Sequence, residues 1–199
     1  MNGIDWLPDM LPVNPWSENT YEELYAVFRR DFVASQPRYR GHHVWFFNEM
    51  DDGKEAIFWH LTDKGKKPNR LPDTNRSARL SWIRPMLEHC PDALILDWDV
   101  DEDGTTKTYV WLKNHDFVVI LKRMNNGSRR LLTAHHLDYP DMRAKLQKKY
   151  ERRIGIGTWK KEAPAMRRPN SFCNLADEVQ SPCLRLRISS SARDAALFG

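Results

Sequence analysis

Residues 93–139, ALILDWDVDEDGTTKTYVWLKNHDFVVILKRMNNGSRRLLTAHHLDY, contain four apolar runs separated by three short polar breaks. The breaks fall at Asp103-Gly104, Asn114-His115 and Asn126-Gly127. Asp-Gly and Asn-Gly pairs favour the positive φ angles that two-residue hairpin turns require. The runs between them are rich in Val, Ile, Leu, Tyr and Trp, which suit a pleated, half-buried surface. The stretch therefore predicts an antiparallel meander of four strands over residues 93–136.

The segments on either side of the meander predict helices and short strands. Aromatic and leucine residues recur at spacings of three and four over residues 20–35, which indicates an amphipathic helix. Apolar runs predict strands at 44–48 and 56–62, and helices are expected at 73–89, with a kink or restart at Pro85, and at 140–152. Strands and helices are segregated along the chain, so the predicted fold class is α+β, with the N-terminal helices packed on the meander.

Composition divides the chain into three predicted parts. Residues 1–19 are proline-rich and are expected to form an irregular N-terminal arm, for which Trp6 and Trp16 are candidate anchors. Residues 20–157 are expected to form a single α+β domain. Residues 158–199 form a basic C-terminal extension with one strand-like alternation at 183–189.

Several classes of protein are disfavoured by the composition. No run of about 18 apolar residues exists, so no membrane span is expected. The acidic, proline-containing N-terminus does not match a signal peptide, and the three cysteines fit reduced thiols, so a cytoplasmic protein is expected. No Cys or His cluster has zinc-site spacing, so neither a metal nor another cofactor is expected.

The charge is concentrated in the C-terminal part of the chain. Residues 1–139 hold 18 basic and 21 acidic side chains, whereas residues 140–199 hold 13 basic and 6 acidic ones. A segment with a net charge of +7 attracts nucleic acid through phosphate contacts and counterion release. The alternative is a solvated tail with no partner.

His60, Arg76 and Arg79 are the first candidate functional residues. His60 ends the predicted strand at 56–62 and precedes a basic loop. Arg76 and Arg79 stand three residues apart on a predicted helix, a spacing that places two guanidinium groups on one face. Guanidinium groups bind phosphate in a bidentate manner. The alternatives are a structural histidine and a surface arginine pair with Asp73 or Glu88 as partners.

A second set of candidates lies on the last two strands. Alternation places Thr133 and His135 on one face of the last strand, and the preceding strand brings Lys122 beside it. Histidine transfers protons near neutral pH, and cations stabilise charge on a phosphoryl group. The acidic residues of 97–103 are consecutive along a strand and hairpin, which indicates a solvated edge and not a magnesium site. This set therefore favours metal-independent cleavage of RNA, in which the 2′-hydroxyl is an internal nucleophile.

The runs FWHLTDKG, RLPDTNRSARLSWIRPMLEH, DWDV, YVWL, FVVILKRM and LLTAHHLDY resemble the phage and prophage branch of the BECR ribonucleases. That superfamily takes in barnase, EndoU, colicin E5/D and RelE-like folds, and the resemblance covers residues 44–152. It implies a helix-plus-antiparallel-sheet fold and a metal-independent endoribonuclease of a mobile element, acting as a toxin or growth inhibitor and opposed by a neutralising protein partner. Members often carry an aromatic residue after L-T-A, where this chain has His135.

The resemblance also implies roles for individual residues. His60 would be a catalytic acid or base, Arg79 would stabilise the scissile phosphate, and Thr133 and His135 would complete the catalytic set. The substrate-binding residues would be Arg76, Lys122, Tyr109 and Tyr139. Two alternatives remain: a non-catalytic module of phage or plasmid origin that binds nucleic acid or protein, and a structural protein whose eight tryptophans anchor interfaces.

The basic extension generates the first testable prediction. Deleting the residues after 160 weakens RNA binding and flattens its salt dependence, because each lost phosphate contact lowers the slope of log K against log salt by roughly 0.7–0.9. The measurement is a titration of RNA binding at several salt concentrations. An unchanged affinity and slope would show that the extension makes no phosphate contact.

Overall fold

The computed structural model describes residues 4–154, which form an α+β fold around a curled, mixed sheet of six strands. The order of strands across the sheet is β1-β2-β10-β9-β8-β7. Their bounds are β1 Arg38–Tyr39, β2 His42–Trp45, β7 Ile95–Glu102, β8 Thr105–Leu112, β9 Phe117–Arg123 and β10 Arg129–His136. Two small ribbons pair β3 (Met50–Asp51) with β4 (Lys54–Glu55) and β5 (Asp63–Lys64) with β6 (Leu71–Pro72). The predicted extension 158–199, with its strand at 183–189, lies outside the described residues.

Strands β7 to β10 pair antiparallel in succession, as their turn residues predict. Asp103 and Gly104 have φ angles of 52° and 71°, so both adopt the left-handed conformation of a tight hairpin turn. The connection at Asn114-His115 is instead a 3₁₀ turn over Lys113–His115. The meander is also only part of the sheet, because β2 pairs in parallel with β10 at Arg129 and Arg130.

A β-bulge interrupts the pairing of β10 with β9. Leu131 lies opposite Leu121 and Thr133 lies opposite Ile120, so Leu132 is an extra residue in β10. The extra residue changes which side chains share a face. Arg130, Thr133 and His135 all project from the face of the sheet that carries Ile120. In a strand without a bulge, Arg130 would project from the face opposite that of Thr133 and His135.

The five helices differ in regularity, and their bounds are α1 Glu18–Phe28, α2 Ala56–Thr62, α3 Thr74–Ser77, α4 Ile83–Glu88 and α5 Pro140–Glu151. Helix α1 continues through a π-helical turn at Arg29–Val33, and together they confirm the helix predicted at 20–35. Helix α5 confirms the helix predicted at 140–152, with proline at a position that needs no amide hydrogen.

The predicted strand at 56–62 is wrong, because these residues form helix α2. Its buried residues are Ile57, Phe58, Leu61 and Thr62, a pattern with helical spacing. The β-branched and aromatic residues that favoured a strand are therefore overridden by packing of the helix into the core. The strand predicted at 44–48 is shifted, since β2 occupies His42–Trp45.

The predicted helix at 73–89 is divided into three pieces. Helix α3 ends at Ser77, a 3₁₀ turn covers Leu80–Trp82, and α4 restarts at Ile83, two residues before Pro85. Arg79 has φ and ψ angles of −106° and 13°, outside the α region. Arg76 and Arg79 therefore do not share a helix face, and their proximity has another cause.

Each face of the sheet carries its own apolar cluster. Helices α1, α2 and α4 contribute Phe28, Phe58 and Met86 to the larger cluster, which packs on Val119 and Leu121. On the other face, α5 places Leu146 against a smaller cluster made of Trp98, Val100, Tyr109, Trp111, Val118 and Leu137. Alternate residues of the central strands are thus buried on opposite faces, which fixes the register of the sheet.

The two outer strands of the sheet are joined by Asp97. Asp97 lies on β7, and its carboxylate accepts hydrogen bonds from the hydroxyl of Tyr39 on β1 at 2.5 Å and from the guanidinium of Arg40 at 2.7 and 2.9 Å. Because β1 and β7 are the opposite edges of the sheet, this contact requires the sheet to curl. Burial and the charge of Asp97 raise the pKa of Tyr39, so the phenol remains protonated.

The acidic run at 97–103 is not the solvated edge that its sequence predicts. Asp99 accepts a hydrogen bond from Thr108 and pairs with Arg123 at 3.2 Å. Glu102 pairs with Lys149 at 2.8 Å and Lys107 at 3.1 Å. Burial alone would raise the pKa of Glu102, but hydrogen bonds from Lys149, Tyr109 and Lys107 lower it to about 2. Much of the acidic run therefore holds neighbouring elements together.

The N-terminal residues pack on the folded unit. Leu7 and Val13 are buried, and the Trp82 indole donates a hydrogen bond to the Pro8 carbonyl. Trp6 stacks on His89, and Trp16 contacts Tyr21 edge to face. None of the helices among residues 4–154 has the length and apolar character needed to cross a membrane.

The Asp97 contact generates a prediction about stability. Asp97→Ala lowers the free energy of unfolding by about 3 kcal/mol, because it leaves Arg40 without its partner. This value is at the low end for a broken buried ion pair, since a quarter of the Arg40 side chain is exposed. Asp101→Ala is the matched control on the same strand. Asp101 is exposed and bonds only Thr106, so a change within about 0.5 kcal/mol is expected. Urea denaturation measures both, and equal losses would contradict the role given to Asp97.

Candidate active site at the end of β10

The C-terminal half of β10 is covered by helices, not by a strand. Strand β2 pairs with β10 only at Arg129 and Arg130. Beyond them, α2 and α3 pack against β10. This arrangement brings residues from three separate segments together in what we call the β10 site: His60, Asp73, Asn75, Arg76, Arg79, Thr133, His135, His136 and Asp138.

Arg76 joins these segments. One nitrogen of its guanidinium, Nη1, donates hydrogen bonds to the backbone carbonyls of His60 and Asp63, each at 2.8 Å. Its Nε lies 3.8 Å from Oδ2 of Asp73, the residue that caps α3. Nη2 makes no hydrogen bond within residues 4–154 and is not fully buried. Arg76 therefore fixes the end of α2 while one side of its guanidinium can still bind an anion.

His135 is neutral at physiological pH. Burial, followed by the positive charge of Arg76, lowers the pKa of His135 to about 4. An imidazole in this state can accept a proton but has none to donate as a cation. Arg76 and His135, which the sequence indicates as separate candidates, thus lie close enough to interact electrostatically.

Arg79 reaches the same region from the turn that follows α3. Its Nη1 donates to the carbonyl of Asn75 at 2.7 Å, and its guanidinium lies 5.2 Å from the centre of the Trp82 ring. Burial lowers the pKa of Arg79, while Asp138 and Asp73 act in the opposite direction. As in Arg76, Nη2 has no hydrogen-bond partner in the described part of the chain and is not fully buried.

Sequence reasoning missed the histidine–carboxylate pair beside His135. Oδ1 of Asp138 lies 2.9 Å from Nδ1 of His136 and accepts a hydrogen bond from the Asn75 amide at 2.8 Å. Such a contact fixes the orientation of an imidazole. The sequence does show His136 and Asp138 two residues apart at the end of an apolar strand. The hydrogen bond from Asn75 to Asp138, however, forms only because α3 packs on β10.

Two further predicted residues border the β10 site. His60 is exposed in the last turn of α2, and its carbonyl is held by Arg76. Thr133 is half-buried on β10, two residues before His135 and on the same face. The region therefore contains a neutral imidazole, an exposed imidazole, a hydroxyl and two guanidinium groups.

Two predicted substrate-binding residues, Lys122 and Tyr109, lie elsewhere, and a third, Tyr139, borders the β10 site. Lys122 projects from the same face of the sheet as His135. On β9, however, Lys122 lies opposite Arg130, whereas Val118 lies opposite His135. Because Lys122 and Val118 are four residues apart, Lys122 is about 13 Å from His135. Tyr109 is buried: its ring stacks on Trp98, and its hydroxyl bonds Glu102 and Lys149. Tyr139 is 66% exposed at the start of α5, in a cleft that Asp138 of the β10 site also lines, together with Asp116 and Arg143. The Tyr109 ring is thus closed to base stacking.

The donor set of the β10 site suits an anion. Among residues 4–154, no group of three or more His, Cys, Asp or Glu side chains has the arrangement of a metal site. The two unpaired Nη2 atoms can instead hold a phosphate. Comparison of the chain with protein-family models, curated proteins and solved structures finds no match.

The coupling of Arg76 to His135 generates the third prediction. Arg76→Met raises the pKa of His135 above 4, because a positive charge is removed, but the value stays below the ordinary 6.5 because burial remains. Arg79→Met is the matched control, because Arg79 is not among the main causes of the low pKa of His135. NMR titration of the imidazole measures both variants. A pKa that moves equally in the two would contradict the coupling.

Proposed function

We propose that this chain is a metal-independent endoribonuclease of a phage or mobile element. The observation that supports the proposal is the position of the Arg76 guanidinium, which acts on the neutral imidazole of His135, holds the His60 carbonyl at the end of α2 and has an unpaired Nη2. Arg79 carries a second unpaired Nη2 near Asp73 and Asp138. A phosphate bound by Arg76 and Arg79 would lie between groups able to accept and to donate protons. These are the components that cleavage by a 2′-hydroxyl needs.

The proposed reaction has two proton transfers. Neutral His135 accepts the proton of the 2′-hydroxyl, and the 2′-oxygen attacks phosphorus. The bond from phosphorus to the 5′-oxygen breaks, and His60 in its protonated form donates a proton to that oxygen. The products are a 2′,3′-cyclic phosphate and a free 5′-hydroxyl. Arg76 and Arg79 stabilise the charge that develops on the phosphorane.

Substrate binding would improve His135 as a base. A pKa of about 4 makes the imidazole a weak proton acceptor in the free protein. A phosphate on Arg76 offsets one of the two main causes of that low pKa. The pKa of His135 then rises toward neutrality in the complex, and the proton acceptor becomes stronger when its substrate is present.

The α+β architecture also supports the proposal. A helix pair packed on antiparallel strands is what the resemblance to BECR ribonucleases implies, and residues of α2 and β10 carry its motifs. A role as a toxin or growth inhibitor, countered by a neutralising protein partner, is part of the same proposal. The cytoplasm is the proposed site of action.

One observation favours the second candidate, a non-catalytic module that binds nucleic acid or protein. Nη1 of Arg76 is already occupied by two backbone carbonyls, which is a structural role for an arginine. If this role is the only one, the β10 site binds no scissile phosphate. The two candidates differ in whether RNA is cleaved.

The fourth prediction tests cleavage. The protein cuts RNA in excess EDTA, leaves a 2′,3′-cyclic phosphate and fails on a substrate with a 2′-deoxy substitution at the cleaved nucleotide. His60→Ala and His135→Ala each lower the rate by about 10²–10⁴, the range for a general acid or base. Arg79→Ala lowers it by about 10²–10³ through loss of charge stabilisation.

His43→Ala is the matched control for the histidine variants. His43 is exposed on β2, and its one side-chain hydrogen bond within residues 4–154 is with Arg38, so its loss leaves the rate unchanged. Cleavage of DNA of the same sequence, or full activity in both His60→Ala and His135→Ala, would contradict the mechanism. Growth arrest on induced expression that His60→Ala relieves would support the toxin role.

A further inference from the structure

A row of cations crosses the sheet on the face that carries His135. Lys107 lies opposite Lys122, and Lys122 lies opposite Arg130. Arg130 in turn lies opposite Trp45 on β2. Residues directly opposite each other in a sheet project from the same face. At about 4.8 Å between strands, the row from Lys107 to Trp45 is about 14 Å long.

Two of these cations lack a counter-charge. Lys107 is compensated by Glu102 at 3.1 Å and Asp103 at 3.9 Å. Lys122 and Arg130 form no ion pair with any residue between 4 and 154. Like charges directly opposite each other destabilise a sheet. An anion bound between Lys122 and Arg130 would relieve this repulsion.

Two aromatic rings continue the row at the edge of the sheet. The guanidinium of Arg130 lies 4.3 Å from the centre of the Phe47 ring, and Phe47 meets Trp45 edge to face at 5.5 Å. Phe47 is 51% exposed, and the Trp45 indole is held by a hydrogen bond to Ser128 at 3.1 Å. Exposed rings beside cations are the combination that binds single-stranded nucleic acid, because every base has a stacking face.

The bulge at Leu132 connects this surface to the β10 site. Because Leu132 is an extra residue, Arg130, Thr133 and His135 lie on one face at successive steps of about 7 Å. A strand of RNA bound at the aromatic rings would therefore lie on the face of β10 from which His135 projects.

We propose that Lys122, Arg130, Trp45 and Phe47 form a subsite for single-stranded RNA, with a phosphate held by the two cations and a base stacked on the rings. The proposal rests on the proposed function in naming RNA as the occupant. The unpaired charges and exposed rings favour a nucleic acid over a protein. The contacts engage phosphates and base faces, so a single-stranded 2′-deoxy oligonucleotide binds as well and serves as an uncleavable probe.

The fifth prediction concerns binding of this probe, a fluorescent 2′-deoxy oligonucleotide of about 12 nucleotides, to the full chain. Phe47→Leu, which retains an apolar side chain, weakens binding about 5- to 150-fold by loss of stacking, with no change in salt dependence. Lys122→Ala and Arg130→Ala each weaken binding and lower the slope against log salt by about 0.7. Phe47→Leu is expected to change the affinity without the salt dependence. Misfolding would change both, so this difference distinguishes the loss of a contact from misfolding.

Two controls complete the experiment. Arg29→Ala removes an exposed cation at the C-cap of α1 that forms no ion pair within the described range, and it leaves the affinity unchanged. Trp45→Phe keeps a ring at the edge of the sheet and retains most of the affinity, whereas Trp45→Ala loses it. A duplex of the same sequence binds less tightly and does not respond to Phe47→Leu.

The outcomes separate this proposal from the proposed function. Normal binding by Phe47→Leu and Arg130→Ala, with cleavage still abolished by His60→Ala, overturns the subsite and leaves the nuclease intact. Binding that depends on Phe47 and Arg130 without RNA cleavage supports the subsite and overturns the nuclease. No binding of the probe by the wild-type protein at low salt overturns the subsite and points to a protein partner for the rings.

Discussion

The uneven covering of β10 is the constraint on which the rest of this structure depends. The first two residues of the strand pair with β2, and the remainder is flanked by α2 and α3. Arg76 secures that flank by donating to two carbonyls at the end of α2, His60 and Asp63. The same strand therefore presents an aromatic and cationic surface at one end and a histidine–arginine site at the other. A complete neighbouring strand along β10 would remove the space that α2 and α3 occupy.

Electrostatics divides the cations of the protein into two groups. Arg40, Arg129 and Lys149 neutralise carboxylates of β7 and thereby hold the curled sheet and α5 in place. Arg76, Arg79, Lys122 and Arg130 retain donors or charges that no carboxylate satisfies within hydrogen-bonding distance in the described structure. The first group acts in stability and the second is available to phosphates. Both groups lie on or beside one sheet, but they use different side chains. Binding of a phosphate along β10 therefore need not break the ion pairs that hold the curled sheet together.

The sequence predicted the parts of the fold that are specified locally. The meander follows from turn residues such as Asp103-Gly104, and α5 follows from Pro140 and a helical stripe, because these signals act between near neighbours. Helix α2 was not predictable from propensity, since burial of Phe58 and Leu61 determined its conformation. The parallel β2–β10 pair joins residues more than 80 positions apart, and no local pattern specifies such a contact. The surface formed by Trp45, Phe47 and Arg130 was missed for that reason.

The candidate site was predicted in part by residue type and brought together by packing. Arg76 lies beside His135 and holds the His60 carbonyl, and Thr133 shares the face of His135. Arg76 and Arg79 come from a broken helix, and His60 comes from a helix in place of a strand. The low pKa of His135 depends on burial beside Arg76, which no spacing in the sequence reveals. The contact of Asp138 with Asn75 was missed because Asn75 comes from a distant segment and reaches Asp138 only when α3 packs on β10.

The proposed binding of a scissile phosphate to Arg76 beside His135 is tested most directly by the pKa of His135 in the presence of nucleic acid. NMR titration of the imidazole, with and without a saturating 2′-deoxy oligonucleotide, compares the free protein with an uncleavable complex. The pKa of His135 is expected to rise from about 4 toward neutrality in the complex, because the bound phosphate offsets the charge of Arg76. An oligonucleotide that binds and leaves the pKa of His135 unchanged would contradict it.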